Sequence, residues 1–211
     1  MKRCVIIGGA PVKEYKKTAE YLEADDYVIC CDSGLKHMEG LGVKPDLIVG
    51  DFDSYDNPHM PVETIVLPCE KDDTDTVFAV KEALNRGFEE FLLLGAAGGR
   101  LDHTLANVSI LLDLHNRGKK AVLVDDFSEM EIAGEQWTEI SGDYPFFSLL
   151  NITGKAAGVT IENAKYPLTG AEITCEYQYG VSNEVLPGKT ARVKVEDGEL
   201  LLIKVKREAA L

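Results

Sequence analysis

No segment of this sequence approaches the roughly 20 consecutive apolar residues that span a bilayer. The apolar run behind Lys2 and Arg3 stops at Gly8, too short for a signal peptide. Cysteine is sparse and poorly spaced for ligation. The five (Cys4, Cys30, Cys31, Cys69 and Cys175) are odd in number and form no C-x-x-C pair. Three lie in apolar runs, so free buried thiols in a reducing compartment account for them better than disulfides or zinc. His37, His59, His103 and His115 lack metal-ligand spacing and are read as non-ligands. Basic residues are short too: 22 Lys and Arg against 36 Asp and Glu leave a net charge of −14. That balance argues against nucleic acid or an anionic membrane as partner, since each requires a basic face. Neither a Walker loop nor a G-x-G-x-x-G fingerprint is present, and no internal repeat is visible. A cytoplasmic location is expected.

What is present is ordinary globular composition, 45% hydrophobic and 27% charged over 211 residues, enough for one large domain or two modest ones. Up to about residue 127, short apolar runs alternate with helical patterns. Strands are expected at Cys4–Ile7, Tyr27–Cys31, Asp46–Val49, Thr64–Leu67, Glu90–Leu94 and Ala121–Asp125. Between them, Thr74 is placed to cap a helix carrying Val77, Val80 and Leu84 on one face. Leu101, Leu105, Val108 and Leu112 fall on a second helical stripe. Such alternation predicts an α/β domain over 1–127, a mostly parallel sheet with flanking helices. From 128 to 211 the helical period fades. Short runs at Phe146–Ile152, Gly158–Ile161, Ala191–Val195 and Leu200–Lys206 predict a smaller all-β sandwich or open barrel. Asp197-Gly198 between the last two reads as a hairpin turn.

Acidic charge is concentrated. Residues 46–75 hold nine acids, Asp46, Asp51, Asp53, Asp56, Glu63, Glu70, Asp72, Asp73 and Asp75, against the single base Lys71. A solvated acidic surface is the simplest account of such a run, but the positions argue for a site. Asp51 and Asp53 follow the third strand at its carboxyl end, where open α/β sheets bind ligands. In an extended stretch, residues i and i+2 face the same way. Asp72, Asp73 and Asp75 open the next helix at the same sheet edge. Converging carboxylates repel unless a cation neutralises them, and oxygen-only ligands with phosphates favour Mg²⁺.

Gly95-Ala96-Ala97-Gly98-Gly99-Arg100 forms a strand-to-helix turn whose backbone N–H groups can approach phosphate, with Arg100 as an added clamp. Asp102 then sits in the first helical turn, as a dipole partner or a site residue. Asp32-Ser33-Gly34 ends the second strand at the same edge and either touches nucleotide or caps the next helix. Gly8-Gly9-Ala10-Pro11 ends the first strand as a turn.

Three blocks in order, Pro45-Asp46-Leu47-Ile48-Val49-Gly50-Asp51-Phe52-Asp53-Ser54, Glu70-Lys71-Asp72-Asp73-Thr74-Asp75 and Gly98-Gly99-Arg100-Leu101-Asp102-His103, resemble the thiamine pyrophosphokinase (thiamine diphosphokinase) family. Two more, Ala164-Lys165-Tyr166-Pro167-Leu168 and Gly180-Val181-Ser182-Asn183, extend the resemblance across the chain. It implies a homodimer whose sites combine the α/β domain of one subunit with the β-sandwich of the other. It also implies the reaction ATP + thiamine → AMP + thiamine diphosphate. By the same resemblance Asp51, Asp53 and Asp75 are the Mg²⁺-associated carboxylates, with Asp75, Asp102 and Arg100 catalytic. Asp32, Ser33, Gly34, Lys71, Asp72, Thr74, Gly98, Gly99 and Arg100 form the nucleotide side. Asp102, Tyr166, Ser182 and Asn183 form the thiamine side, Tyr166 by stacking and Asp102 near the hydroxyl. Rival readings are a pyrophosphokinase for another primary alcohol, such as a hydroxymethylpterin, and a non-catalytic nucleotide sensor. A phosphoaspartate enzyme would want its acidic motif on the first strand, not the third.

Overall fold

The computed structural model describes residues 3–53, 59–68, 70 and 72–206. The chain divides into two compact units, Met1–Asp126 and Phe127–Leu211. Unit 1 runs β1 (Cys4–Ile7), α1 (Tyr15–Ala19), β2 (Tyr27–Cys31), a 3₁₀ helix (Asp32–His37), α2 (Met38–Leu41), β3 (Leu47–Gly50), β4 (Glu63–Val66), α3 (Asp75–Asn85), β5 (Glu90–Leu94), α4 (Leu101–Asn116) and β6 (Lys120–Val124). Its strands are all parallel, in the order β4-β3-β2-β1-β5-β6. Side chains alternate across the sheet. Val5, Ile7, Val28, Cys30, Ile48, Leu92 and Leu94 share one buried cluster, covered by Tyr15, Ala19, Met38 and Leu41 of the short helices. Ile6, Ile29, Leu47 and Leu93 are fully buried on the opposite face. The central strands β1, β2 and β3 are apolar because both faces are covered, while the edge strand β4 carries exposed Glu63 and Val66.

The chain first builds outward from β1 through β2, β3 and β4, then returns to place β5 on the other side of β1. The strand order therefore reverses between β1 and β5, and a crevice opens at their carboxyl ends. Helix α3 follows the capping expectation: Thr74 Oγ1 accepts from the Val77 N–H at 3.3 Å. Helix α4 forms where expected but buries a different face. Leu101 and Leu105 are exposed, while Asn107, Val108, Ile110, Leu111 and Leu114 are buried. Among the described residues, no helix is long and apolar enough to cross a membrane.

Unit 2 contains β7 (Ser128–Ala133), β8 (Thr138–Ile140), β9 (Phe146–Asn151), β10 (Lys155–Glu162), β11 (Leu168–Thr174), β12 (Ala191–Lys194) and β13 (Leu200–Val205). β13 lies between β7 and β9, antiparallel to both. The other sheet has the order β11-β10-β12-β8, also antiparallel. One core between the two sheets joins Phe147, Leu149, Leu200 and Leu202 from the first to Ile140, Val159, Ile161, Ile173 and Val193 from the second. This is a sandwich. The Asp197-Gly198 turn is not a hairpin: β12 and β13 belong to different sheets. The turn is a corner, with Gly198 at φ +83° and no room for a Cβ, which would stand 2.5 Å from the Lys155 carbonyl oxygen. Cys4, Cys30 and Cys31 are buried free thiols and Cys175 an exposed one, while Cys69 lies outside the described residues.

Candidate active site

The crevice between β1 and β5 is a cleft of about 370 Å³, within the range of small-molecule sites. Gly9, Ala10 and Pro11 form one wall and Gly95, Ala96, Gly98, Gly99 and Arg100 another. The backbones of Gly8 and Gly95 pack so closely that a Cβ on Gly8 would reach 2.6 Å from the Gly95 carbonyl oxygen. Asp32, Ser33, Thr74 and Asp75 also line the cleft.

Three carboxylates meet here. Asp32 opens the 3₁₀ helix after β2, Asp51 follows β3 and Asp75 opens α3. One oxygen from each lies within 4.8 Å of the other two. Asp32 is 2% exposed. One of its oxygens accepts from the Ser33 N–H, and the other, Oδ2, is buried with no hydrogen-bond partner. A side chain at position 50 would displace Asp32, since a Cβ there would fall 2.5 Å from the Asp32 Cβ. A buried carboxylate oxygen without a donor is costly unless a cation faces it. The all-oxygen donor set and this orphaned atom together fit a hard divalent ion such as Mg²⁺.

Asp53 stands outside the group. Phe52 between the two aspartates has φ +58°, so the stretch is bent rather than extended and the i, i+2 alignment is lost. Asp53 is exposed, and its N–H is turned back toward Asp51 Oδ1 at 3.3 Å. Asp72 is also exposed, and Asp73 pairs with Lys81 at 2.6 Å. Lys71 lies outside the described residues.

On the far wall, Gly98 and Gly99 have φ +102° and +68°, conformations that glycine adopts without strain. The Gly98 N–H donates to Thr104 Oγ1 at 3.0 Å, and that hydroxyl donates to the Arg100 carbonyl at 3.1 Å. Buried Asn107 donates to the Ala96 carbonyl at 2.6 Å. Thr104 and Asn107 therefore brace the turn, and His103 lines the cleft. Sequence reasoning missed Thr104 and Asn107, and Asn107 lies off the expected stripe of Leu101, Leu105, Val108 and Leu112. Gly34 has no space for a side chain, because a Cβ would lie 2.1 Å from the Ile7 carbonyl oxygen. Arg100 Nε donates to Asp102 Oδ1 at 3.1 Å, and both side chains are exposed. That hydrogen bond, first among its influences, holds the Asp102 carboxyl down to about 2.

In unit 2, Tyr166 is 58% exposed and Lys165 Nζ lies 5.6 Å from its ring centroid. Asn183 is 4% exposed. Its amide accepts from the Tyr166 N–H at 3.0 Å and donates to the Tyr166 carbonyl at 2.8 Å, so it positions Tyr166. Ser182, at φ +57°, has its N–H on Ser148 Oγ at 3.0 Å.

Comparison with known proteins extends these observations. Residues 18–123 match the family profile "Thiamin pyrophosphokinase, catalytic domain", and residues 134–200 match "Thiamin pyrophosphokinase, vitamin B1 binding domain". The chain is 27% identical over 194 residues to the thiamine pyrophosphokinase of Bacillus subtilis (strain 168), covering 88% of this chain and 91% of that protein. A crystal structure of thiamine pyrophosphokinase from Bacillus subtilis superposes with TM-score 0.86 at 22% identity, covering 98% of this chain and 100% of that one. One from Geobacillus thermodenitrificans gives 0.83 at 25% identity, with 99% of each chain covered. With a cleft at the strand-order reversal, converging carboxylates and both profiles matched in order, this chain belongs to the thiamin pyrophosphokinase family.

Proposed function

We propose that this protein transfers a diphosphate group from ATP to the hydroxyethyl group of thiamine, giving thiamine diphosphate and AMP. The observation that carries this reading is the buried, partnerless Asp32 Oδ2 within a group of three carboxylates beside a glycine-walled cleft. Asp32, Asp51 and Asp75 would hold Mg²⁺. When bound, that ion offsets phosphate charge and polarises the transferring group.

The residues do the rest by positioning and electrostatics. The Gly99 and Arg100 N–H groups and the amino end of the 16-residue helix α4 bind phosphate oxygens. Arg100 exchanges its Asp102 partner for a phosphate oxygen and clamps it. Asp102, an ionised and weakly basic carboxylate, accepts a hydrogen bond from the thiamine alcohol and orients it rather than removing its proton early. The alcohol oxygen bonds to the β-phosphorus, the bond from that phosphorus to the α,β-bridging oxygen breaks, and AMP leaves. The alcohol proton passes to solvent. Tyr166 offers an aromatic face to the thiamine cation, with Ser182 as a polar contact and Asn183 as the brace behind.

We further propose a homodimer with sites shared between subunits, in the cytoplasm, where buried free thiols such as Cys30 stay reduced. Incubation with ATP, Mg²⁺ and thiamine tests the reaction. AMP and thiamine diphosphate should form in equal amounts and only together. Stoichiometric ADP would exclude diphosphate transfer.

A further inference from the structure

The wall Gly9–Pro11 has no regular secondary structure, so its position depends on what grips it. On the β5 side the grip is backbone: the Gly8 N–H donates to the Leu94 carbonyl at 2.8 Å and the Ala10 N–H to the Gly95 carbonyl at 2.7 Å. On the other side it is two side chains of the 3₁₀ helix. Lys36 Nζ donates to the Gly9 carbonyl at 2.6 Å, and His37 Nε2 lies 2.9 Å from the Ala10 carbonyl. His37 is 3% exposed, and its Nδ1 lies 2.8 Å from the Tyr15 hydroxyl. Tyr15 is itself confined, since a Cβ on Gly40 would touch its ring at 2.6 Å.

These partners fix the state of the imidazole. A carbonyl oxygen only accepts, so Nε2 carries the hydrogen; Nδ1 then keeps its lone pair and accepts from the tyrosine O–H. A second proton on Nδ1 would reverse the Tyr15 hydrogen bond, the hydroxyl oxygen then accepting, and would leave Nε2–H on the Ala10 carbonyl. The groups facing the ring are Tyr15 on α1, Lys36 on its own helix and Asp126, whose carboxylate receives the Lys13 and Glu14 N–H groups. Burial, the largest influence, pushes the His37 pKa below its ordinary value and Lys36 acts the same way, against the Ala10 carbonyl and Asp126.

We propose that His37 is a positioning residue for the nucleotide: through its Nε2–H on the Ala10 carbonyl it holds the Gly9–Pro11 wall against the phosphates. The 3₁₀ helix that ends at His37 begins with Asp32, so one short helix sets both the carboxylate group and the wall. This inference rests on reading the cleft as a nucleotide site.

The test is calorimetric binding of a non-hydrolysable ATP analogue with Mg²⁺ at pH 8. It compares the native protein, His37→Gln and His37→Ala, each checked for folding by thermal melting. Glutamine keeps an N–H for the Ala10 carbonyl, so His37→Gln should bind the analogue within about twofold of the native Kd. His37→Ala should bind it roughly tenfold more weakly, with thiamine affinity unchanged. If His37→Ala does not fold, His37→Leu, of similar volume and without an N–H, takes its place. An equal Kd in the native protein and in the variant lacking the N–H overturns the role of His37 and leaves the nucleotide reading standing. Absence of nucleotide binding by the native protein at pH 8 overturns both.

Discussion

A carboxylate oxygen buried without a donor, as Asp32 Oδ2 is, raises the energy of the metal-free protein and the affinity for a cation together. Asp32→Asn should separate the two. The amide keeps an acceptor for the Ser33 N–H and offers an N–H to the Asp51 and Asp75 carboxylates, which lie within 4.8 Å. Melting in EDTA should therefore occur at the same temperature as the native protein or a higher one. Turnover should fall by roughly 10²-fold or more, the scale of removing one preorganised electrostatic contact. Lower stability with near-normal turnover would place Asp32 among structural residues. Residue by residue, the site was legible where chemistry and strand ends coincide. Asp51 and Asp75 could be read from their positions after β3 and before α3. Asp32 was seen as a nucleotide contact, but not as the most buried member of the carboxylate group. Asp53 lies outside that group because the left-handed Phe52 breaks an alternation that only an unbent chain supports. No sequence pattern signals that dihedral.

At the scale of elements, strands buried on both faces could be read from composition: Cys4–Ile7, Tyr27–Cys31 and Glu90–Leu94 form within the expected bounds. β7 could not. Its inward positions include Glu129 and Glu131, which Lys204 pairs at 3.0 and 2.9 Å. The charges hide the apolar alternation that marks a sandwich strand. β11 is largely exposed and β8 has three residues, so neither leaves a pattern. Helix α4 shows a different failure: two apolar stripes compete on one helix, and only packing decides between them. Leu111→Ala, at a side chain 1% exposed, should cost about 2–5 kcal/mol by denaturant unfolding. Leu105→Ala, at one 60% exposed, should change stability by less than about 0.5 kcal/mol. The opposite order would show that Leu101 and Leu105 face the core.

For the whole molecule, the two matched profiles, over 18–123 and 134–200, fall on different groups: the carboxylates and the glycine turn lie in unit 1, Tyr166 in unit 2. The proposed sharing of sites within a homodimer makes a sharp expectation. Asp75→Asn and Tyr166→Asp, each inactive alone, should recover up to about a quarter of native activity when equal amounts are mixed and exchanged. Half the dimers are then mixed, and one of their two sites is intact. No recovery despite subunit exchange, followed by mass spectrometry of intact dimers, would mean that each site is built from a single chain.

The placement of β13 between β7 and β9 bears on how the protein is made. The ribosome releases all six strands of unit 1 before it has translated β13, so that sheet can close early. The front sheet of the sandwich cannot: its middle strand emerges last, and β7 must wait for a partner some 70 residues downstream. Throughout that interval Phe147 and Leu149, fully covered in the finished protein, belong to a sheet lacking its centre. Translation thus leaves a window in which nascent chains carry a folded first half and an adhesive second half, the period when chaperone capture matters most.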